Sequence, residues 1–380
     1  MYGLKMFPRG TSAFSSLFQH FMVMIGSLLG IPFILAPILC IGEDDPAKGQ
    51  LISTILFASG IVTLLQSTFG VRLPIIQGGT FTFIVPTIAI ITTSFPSCDK
   101  YDFGNLTQTE KDEVWMPRMR EIQGAIIVSS LFQVIIGCTG VVGFVLSWIS
   151  PLAVVPTISL VGLSLFKTAA DKAASQWGIA LLTSVMMVIL AIFISWAFCG
   201  ILTASGALPS NSEARTDINL ALIQRSPWFY IPYPFQWGPP SVTVSGVFGM
   251  LAGVIPSMIE SVKPPPKHAM NRGICIEGVG CIITGILGTG NGTISYSENI
   301  GAIRVTRVAS RRVIQVAGLL LIFCGMFGKI GAFFGTLPNP VIGGTEEERG
   351  VTKWKRQITA SDEEEGLEDS SYDLPFGIVI

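Results

Sequence analysis

The chain has 380 residues, of which 49% are hydrophobic and only 13% charged, with a net charge of −1 and a mean hydropathy of +0.60. A soluble domain carries about 25% charged residues, so this composition excludes an ordinary soluble fold, and the near-zero charge argues against a nucleic-acid partner. Glycine at 41 and proline at 23 are high for helices in water but normal for transmembrane helices that bend and pack closely. The seven cysteines are scattered, six of them in apolar runs. They show neither a disulfide framework nor metal spacing, and Cys98, in a polar loop, is expected to be structural or neutral. The two histidines, His20 and His268, are far apart, so neither a zinc site nor a Ser-His-Asp constellation is written here.

Residues 1–14 carry Lys5 and Arg9 and no cleavage site, which argues against a signal peptide and favours a cytoplasmic N-terminus. A first span is expected at 15–41, with the polar pair Gln19-His20 inside it, and a second at 50–69. A broken segment follows at 73–93, in which Leu73-Pro74-Ile75-Ile76-Gln77-Gly78-Gly79-Thr80-Phe81 predicts a short extended run, a Gly-Gly break and then a half-helix. A helix that begins at membrane depth leaves free backbone N–H groups that bind a polar ligand. The polar stretch 94–121 contains the sequon Asn105-Leu106-Thr107. Three crossings from a cytoplasmic N-terminus place it outside, so Asn105 is a candidate glycosylation site and the chain a candidate glycoprotein.

Further spans are expected at 122–147 and 151–167, followed by a single apolar run at 177–205, long for one crossing and short for two. The loop 207–240 is polar and aromatic, and Trp228, Tyr230 and Trp237 suit a membrane-interface belt. A span at 242–262 carries Glu260 in an apolar helix, and another is expected at 270–288. Between it and the span at 313–335 lies Gly288–Arg312, which opens with three glycines and small polar residues and continues through Glu298 and Asn299 to four arginines. Irregular backbone at membrane depth is tolerated only where it is buried in protein or lines a cavity, and an ionisable residue there is a binding-site hypothesis. Two Gly/Pro-interrupted segments in corresponding halves point to a transporter site built on inverted repeats. Asn291-Gly292-Thr293 also matches a sequon, and its depth makes it a false positive. Residues 345–380 are acidic and polar, a disordered composition.

Residues 298–307, Glu-Asn-Ile-Gly-Ala-Ile-Arg-Val-Thr-Arg, resemble the signature of the nucleobase–ascorbate transporter family (nucleobase:cation symporter 2, or solute carrier family 23, type). Family-like stretches run from Gln19 to Pro340. The resemblance implies an all-α polytopic membrane protein with the 7+7 inverted-repeat transporter fold, two short strands and half-helices at the substrate site. It divides the chain into a cytoplasmic N-terminus (1–14), a first core repeat (15–147, four spans), a partial first gate (148–205), an extracellular-type loop (206–241), a second core repeat (242–335, broken segment 288–308) and a cytoplasmic acidic tail (336–380). The second gate is then missing and the chain resembles a truncated or exon-skipped member. One crossing at 177–205 would invert everything after it and send the basic groups 263–272 and 304–312 outside, against the positive-inside rule.

The same resemblance implies the site. Substrate would lie against Glu260, Glu298 and the backbone at Phe81 and Ser297, with Asn299 bridging the two half-sites. Gln19, His20, Gln77, Gly78, Gly79, Gly301, Thr306 and Arg307 would support it. Ascorbate-type members carry Pro where this chain has Glu298, and paired carboxylates accept the N–H donors of an imide ring, so uracil or xanthine is expected ahead of ascorbate. No cofactor is implied beyond a coupling ion, Na+ or H+. The implied partners are the small-molecule substrate, the lipid bilayer of the plasma membrane and a second copy in a homodimer, with no nucleic acid. The alternatives are an ascorbate:sodium symporter and a non-transporting truncated isoform. A membrane-embedded enzyme is excluded, because Glu260 and Glu298 have no partnered nucleophile, metal ligands or cofactor motif.

Overall fold

The computed structural model describes residues 11–42, 45–101, 103, 106–141, 188–209, 212, 214–217, 220–261, 267–296, 310–338 and 341. Helices α1 (Thr11–Leu39) and α2 (Pro46–Thr68) lead into strand β1 (Gln77–Gly79), a single 3-10 turn (Phe81–Phe83) and helix α3 (Ile84–Ser94), and α4 (Gln108–Thr139) follows. After α5 (Val188–Ala204) and α6 (Leu220–Arg225), the pattern returns as α7 (Val244–Ser261), α8 (Lys267–Leu287), strand β2 (Thr293–Ser295) and α9 (Arg311–Met326), closed by the short α10 (Gly328–Gly335). Two helices, a strand at a break and a further helix thus occur twice. Among the described residues five helices are long and apolar enough to cross a membrane, or six when α9 and α10 count as one bent span.

Local signals set the helix ends. Asp45 caps α2, its carboxylate accepting from the Ala47 N–H at 2.9 Å, and Pro46 occupies the first position, where its missing N–H costs nothing. Thr107 and Glu110 form a reciprocal capping box that starts α4 at 108, well before the predicted 122, and α4 stops at Gly140 in the left-handed conformation. The span expected at 313–335 is two helices bent by 83°. The bend falls at Phe327, where the Gly328 N–H donates to the Trp228 carbonyl (3.1 Å) instead of continuing the helical ladder.

The two strands form one antiparallel pair, with Gln77 opposite Ser295, Gly78 opposite Ile294 and Gly79 opposite Thr293. Both are fully buried. The glycines expected to break the chain lie inside β1, and the turn into the half-helix comes at Thr80, which caps it by accepting from the Thr82 N–H. A strand pair this short has no stability alone. Here Thr63 of α2 both donates to the Gln77 carbonyl (3.2 Å) and accepts from the Gln77 N–H (2.9 Å).

Contacts at the helix ends order the two faces of the bundle. At one face Arg272 donates to the Gly70 carbonyl, Asn271 to the Gly140 carbonyl and Gln315 to Thr68. At the other, Cys40 and Cys98 are joined, the Ser241 N–H meets the Arg120 carbonyl and the Tyr230 N–H meets the Met326 carbonyl. The second repeat therefore stands beside the first with its basic turns at the end of α2 and α4 that carries Arg72. The inversion expected of a single crossing at 177–205 turns on the segment that joins the two repeats. In this part of the chain only α5 is described, and it spans 188–204.

The cysteines also depart from expectation. Cys40 pairs with Cys98, and Cys138 lies against Cys275, with Cα atoms 5.5 and 5.4 Å apart. Their separations in sequence, 58 and 137, hide the pairing. Only the packing of α1 on the loop after α3, and of α4 on α8, brings the sulfurs together.

Candidate functional site

The site is built where β1 and β2 pair beneath the start of the half-helix. The Thr80 N–H donates to Asn291 Oδ1 across the two repeats at 3.1 Å, and Thr80 Oγ1 lies 2.9 Å from Thr82 Oγ1. Tyr296 closes the floor, its hydroxyl donating to the Gly79 carbonyl at 2.7 Å. Its ring lies so close to Gly78 that an added Cβ would sit 2.6 Å from it. Gly292 is held in the same way against the Phe83 ring. Gly78 and Gly79 thus let the Tyr296 ring and the Ile31 side chain pack directly on the strand backbone.

A polar chain runs from β1 toward the basic face. Gln77 Nε2 donates to Ser295 Oγ at 2.7 Å, Ser295 Oγ lies 3.5 Å from Glu277 Oε2, and Gln133 Nε2 donates to Glu277 Oε1 at 3.0 Å. Glu277, on α8, is only 1% exposed. A carboxylate buried this deeply persists only with such partners. The side-chain oxygens of Gln66, Gln77 and Gln133 have no donor among the described residues, and of the three residues Gln66 lines the cavity beside Glu277. A cavity of about 20 Å³ lies against Gln66, Ile75, Ser261, Ile274, Glu277 and Ser295, room for one water or one small cation.

The residues predicted from sequence fall into two groups. Gln77, Gly78 and Gly79 form β1, and Phe81 opens the 3-10 turn, half-buried. Glu260 is half-buried in the last turn of α7, one residue before Ser261, whose hydroxyl accepts from the Ser295 N–H at 3.4 Å. His20 is buried on α1. Ser297, Glu298, Asn299, Gly301, Thr306 and Arg307 lie outside the described residues, as do Asn105 and the Gln19 side chain. The bridge between half-sites expected of Asn299 is made, among the described residues, by Asn291. That asparagine is 2% exposed, which agrees with its rejection as a sequon. Glu277 escaped the sequence reading. Its signal was available, since it is the one acid in the apolar run 273–287.

The aromatic loop is not uniformly a membrane-interface belt. Trp228 is 70% exposed, but Trp237 is buried, edge-on to Trp115 at 4.9 Å and donating from Nε1 to the Gly288 carbonyl at 2.9 Å. Tyr230 donates to Gln236, and burial pushes its hydroxyl pKa up to about 12. Polar tips with inward partners pull these two rings out of the interface.

Comparison with known proteins places this architecture. The model described as "Permease family" (xanthine/uracil permease) matches residues 11–183 and 178–346. The chain is 41% identical over 379 residues to solute carrier family 23 member 2 of Rattus norvegicus, covering 86% of this chain and 59% of that protein. It is 37% identical over 361 residues to nucleobase-ascorbate transporter 2 of Arabidopsis thaliana, covering 84% of this chain and 66% of that one. Among solved structures, the transmembrane domain of the cyanobacterial bicarbonate transporter BicA superposes with a TM-score of 0.50 at 14% identity, covering 88% of this chain and 89% of that one, and shares the fold. The chain thus spans about three-fifths of the length of its solute carrier relatives. It is a multi-pass membrane protein of permease type and not an enzyme: the chain belongs to the xanthine/uracil permease family, together with the solute carrier family 23 and nucleobase–ascorbate transporter proteins.

Proposed function

We propose that the chain carries the substrate core of a plasma-membrane nucleobase transporter of uracil or xanthine type, coupled to Na+ or H+. The observation that supports this reading most is the buried β1–β2 crossing, with the start of a half-helix opening over it at Thr80. A nucleobase edge alternates N–H donors with carbonyl acceptors. In this reading Glu260 and Glu298 accept from the N–H groups, and the backbone N–H groups at Phe81 and Ser297 meet the carbonyls. Asn299 and Asn291 link the half-sites, Gln19 and His20 support the site from α1, and Gly301, Thr306 and Arg307 shape the second half-helix. A second copy makes a homodimer.

Glu277 is the group we assign to the coupling ion. Its carboxylate, Ser295 Oγ and the unpartnered Gln66 side-chain oxygen, all at one cavity, offer the hard oxygen donors that a small cation takes, and the same carboxylate can bind a proton instead. The relatives' printed names include both nucleobase and ascorbate, so ascorbate:sodium symport is the competing substrate reading. A second reading is a core that binds substrate without transporting it.

The test is binding and uptake of labelled uracil, xanthine and ascorbate by the chain in proteoliposomes, in sodium and in choline buffers at two pH values. We expect uracil or xanthine to bind, Glu260→Gln and Glu298→Gln each to weaken binding at least tenfold, and Glu277→Gln to abolish its dependence on cation or pH. Ascorbate as the sole ligand sinks the nucleobase reading. Binding without uptake supports the non-transporting core.

A further inference from the structure

The last carbonyls of a helix have no partner within it, and at membrane depth each must find one elsewhere. From the end of α8 into Gly288, four carbonyls in succession accept from donors outside the helix, three of them in the aromatic loop, although the Gly285 carbonyl also accepts from the Gly288 N–H. The Gly285 carbonyl accepts from Gln123 Nε2 (3.1 Å) and the Ile286 carbonyl from the Phe235 N–H (2.8 Å). The Leu287 carbonyl accepts from Gln236 Nε2 (2.8 Å) and the Gly288 carbonyl from Trp237 Nε1 (2.9 Å). The chain then turns through Gly288 and Gly290, both with positive φ, and delivers Asn291 to Thr80 and residues 293–295 to β1.

The loop is itself anchored on three sides. Arg120 Nε donates to the Trp237 carbonyl and the Ser241 N–H to the Arg120 carbonyl. Ser241 and Thr243 donate to the buried Glu121 carboxylate. At its other end the Tyr230 N–H and the Trp228 carbonyl bond across the α9–α10 bend. Gln236 also reaches Thr54 of α2 at 3.1 Å. These bonds join both repeats through one segment.

We propose that residues 226–243 are a strap that positions the substrate cradle, with Gln236 and Trp237 as positioning residues for the 288–295 turn and strand. The strap touches no substrate atom. It sets the geometry of Asn291 and β2, and so acts on affinity through them. The inference rests on the reading of the β1–β2 crossing as the cradle.

The test uses the full chain in nanodiscs with Trp237→Phe, which keeps a ring against Trp115 but removes the N–H donor, and Gln236→Met, which removes the amide. Phe248→Leu, on the exposed surface of α7, is the control. Backbone hydrogen exchange is followed by mass spectrometry, and dissociation constants are measured for labelled uracil, xanthine and ascorbate. We expect exchange over 288–296 to rise at least fivefold in both strap variants with α2 unchanged, binding to weaken three- to tenfold, and the apo melting temperature to stay near that of the control. Unchanged exchange over 288–296, or a rise spread evenly over all helices, overturns the strap. If the parent chain binds none of the three probes, the substrate reading fails, and the exchange pattern still decides the strap.

Discussion

Gly78 shows how little freedom the cradle leaves a single residue. The three atoms nearest an added Cβ there all belong to the Tyr296 side chain, at 2.6–2.8 Å, and Tyr296 is itself buried. Gly78→Ala must therefore displace a packed ring and stretch its bond to the Gly79 carbonyl, at a cost of about 1–3 kcal/mol. The same substitution made together with Tyr296→Ala should cost markedly less, because the clash has one source. A double-mutant cycle on melting temperature in detergent checks this, and additive effects would place the strain elsewhere. The importance of Gly-Gly at 78–79 was legible in the sequence, and its reason was not. Glycine is the expected residue at a kink, but here it is required by the ring of Tyr296, which follows Ser295, itself 218 residues beyond its partner Gln77. Glu277 was half-legible: a single acid in the apolar run 273–287 marks the position, but its partners Gln133 and Ser295 emerge only when α4 and β2 are packed against it.

At the scale of elements, apolar runs and caps located most helices, while breaks and cross-links depended on distant partners. The Thr107–Glu110 capping box is a sequence signature that marks the true start of α4. The bend between α9 and α10 is marked locally only by Gly325 and Gly328, and the strap bonds across it to Met326 and Gly328. The Cys40–Cys98 link belongs to the same class. It ties the end of α1 to the loop that follows α3, beside Arg118, whose guanidinium is buried against the Phe95 and Tyr101 rings. Such a bond persists in an oxidising compartment. Cys98→Ser should lower stability by about 2–4 kcal/mol, the usual contribution of a link closing a loop of this size. Non-reducing peptide mapping should find the 40–98 pair in the parent chain. If both cysteines alkylate without prior reduction, this element is not cross-linked.

For the molecule as a whole, the decisive question is which face each repeat presents. A count of apolar runs predicts inversion of the second repeat, because one crossing between 177 and 205 changes the parity of everything after it. The packed helices argue otherwise. Arg272 bonds at the end of α2, Asn271 at the end of α4, and Gln315, one turn into α9, at Thr68. Arg72, Arg272, Arg311 and Arg312 therefore share one face, opposite Cys98 and the strap. Four cations on one side agree with the positive-inside rule, and turning the second repeat over would break each of these three bonds and separate β2 from β1. The polar partners of Gln77, Thr80 and Gly79 would then be unsatisfied in lipid, at several kcal/mol for each group. Burial of the cradle thus outweighs the parity of the apolar runs. Single cysteines placed at 107 and in the strap at 239 should label from outside intact cells with a membrane-impermeant maleimide. Cysteines at 271 and 312 should label only after permeabilisation, with the unsubstituted chain as background. Labelling of 271 and 312 in intact cells would mean that the second repeat is inverted. The β1–β2 pair, and with it the cradle shared by the two repeats, could not then exist in the membrane.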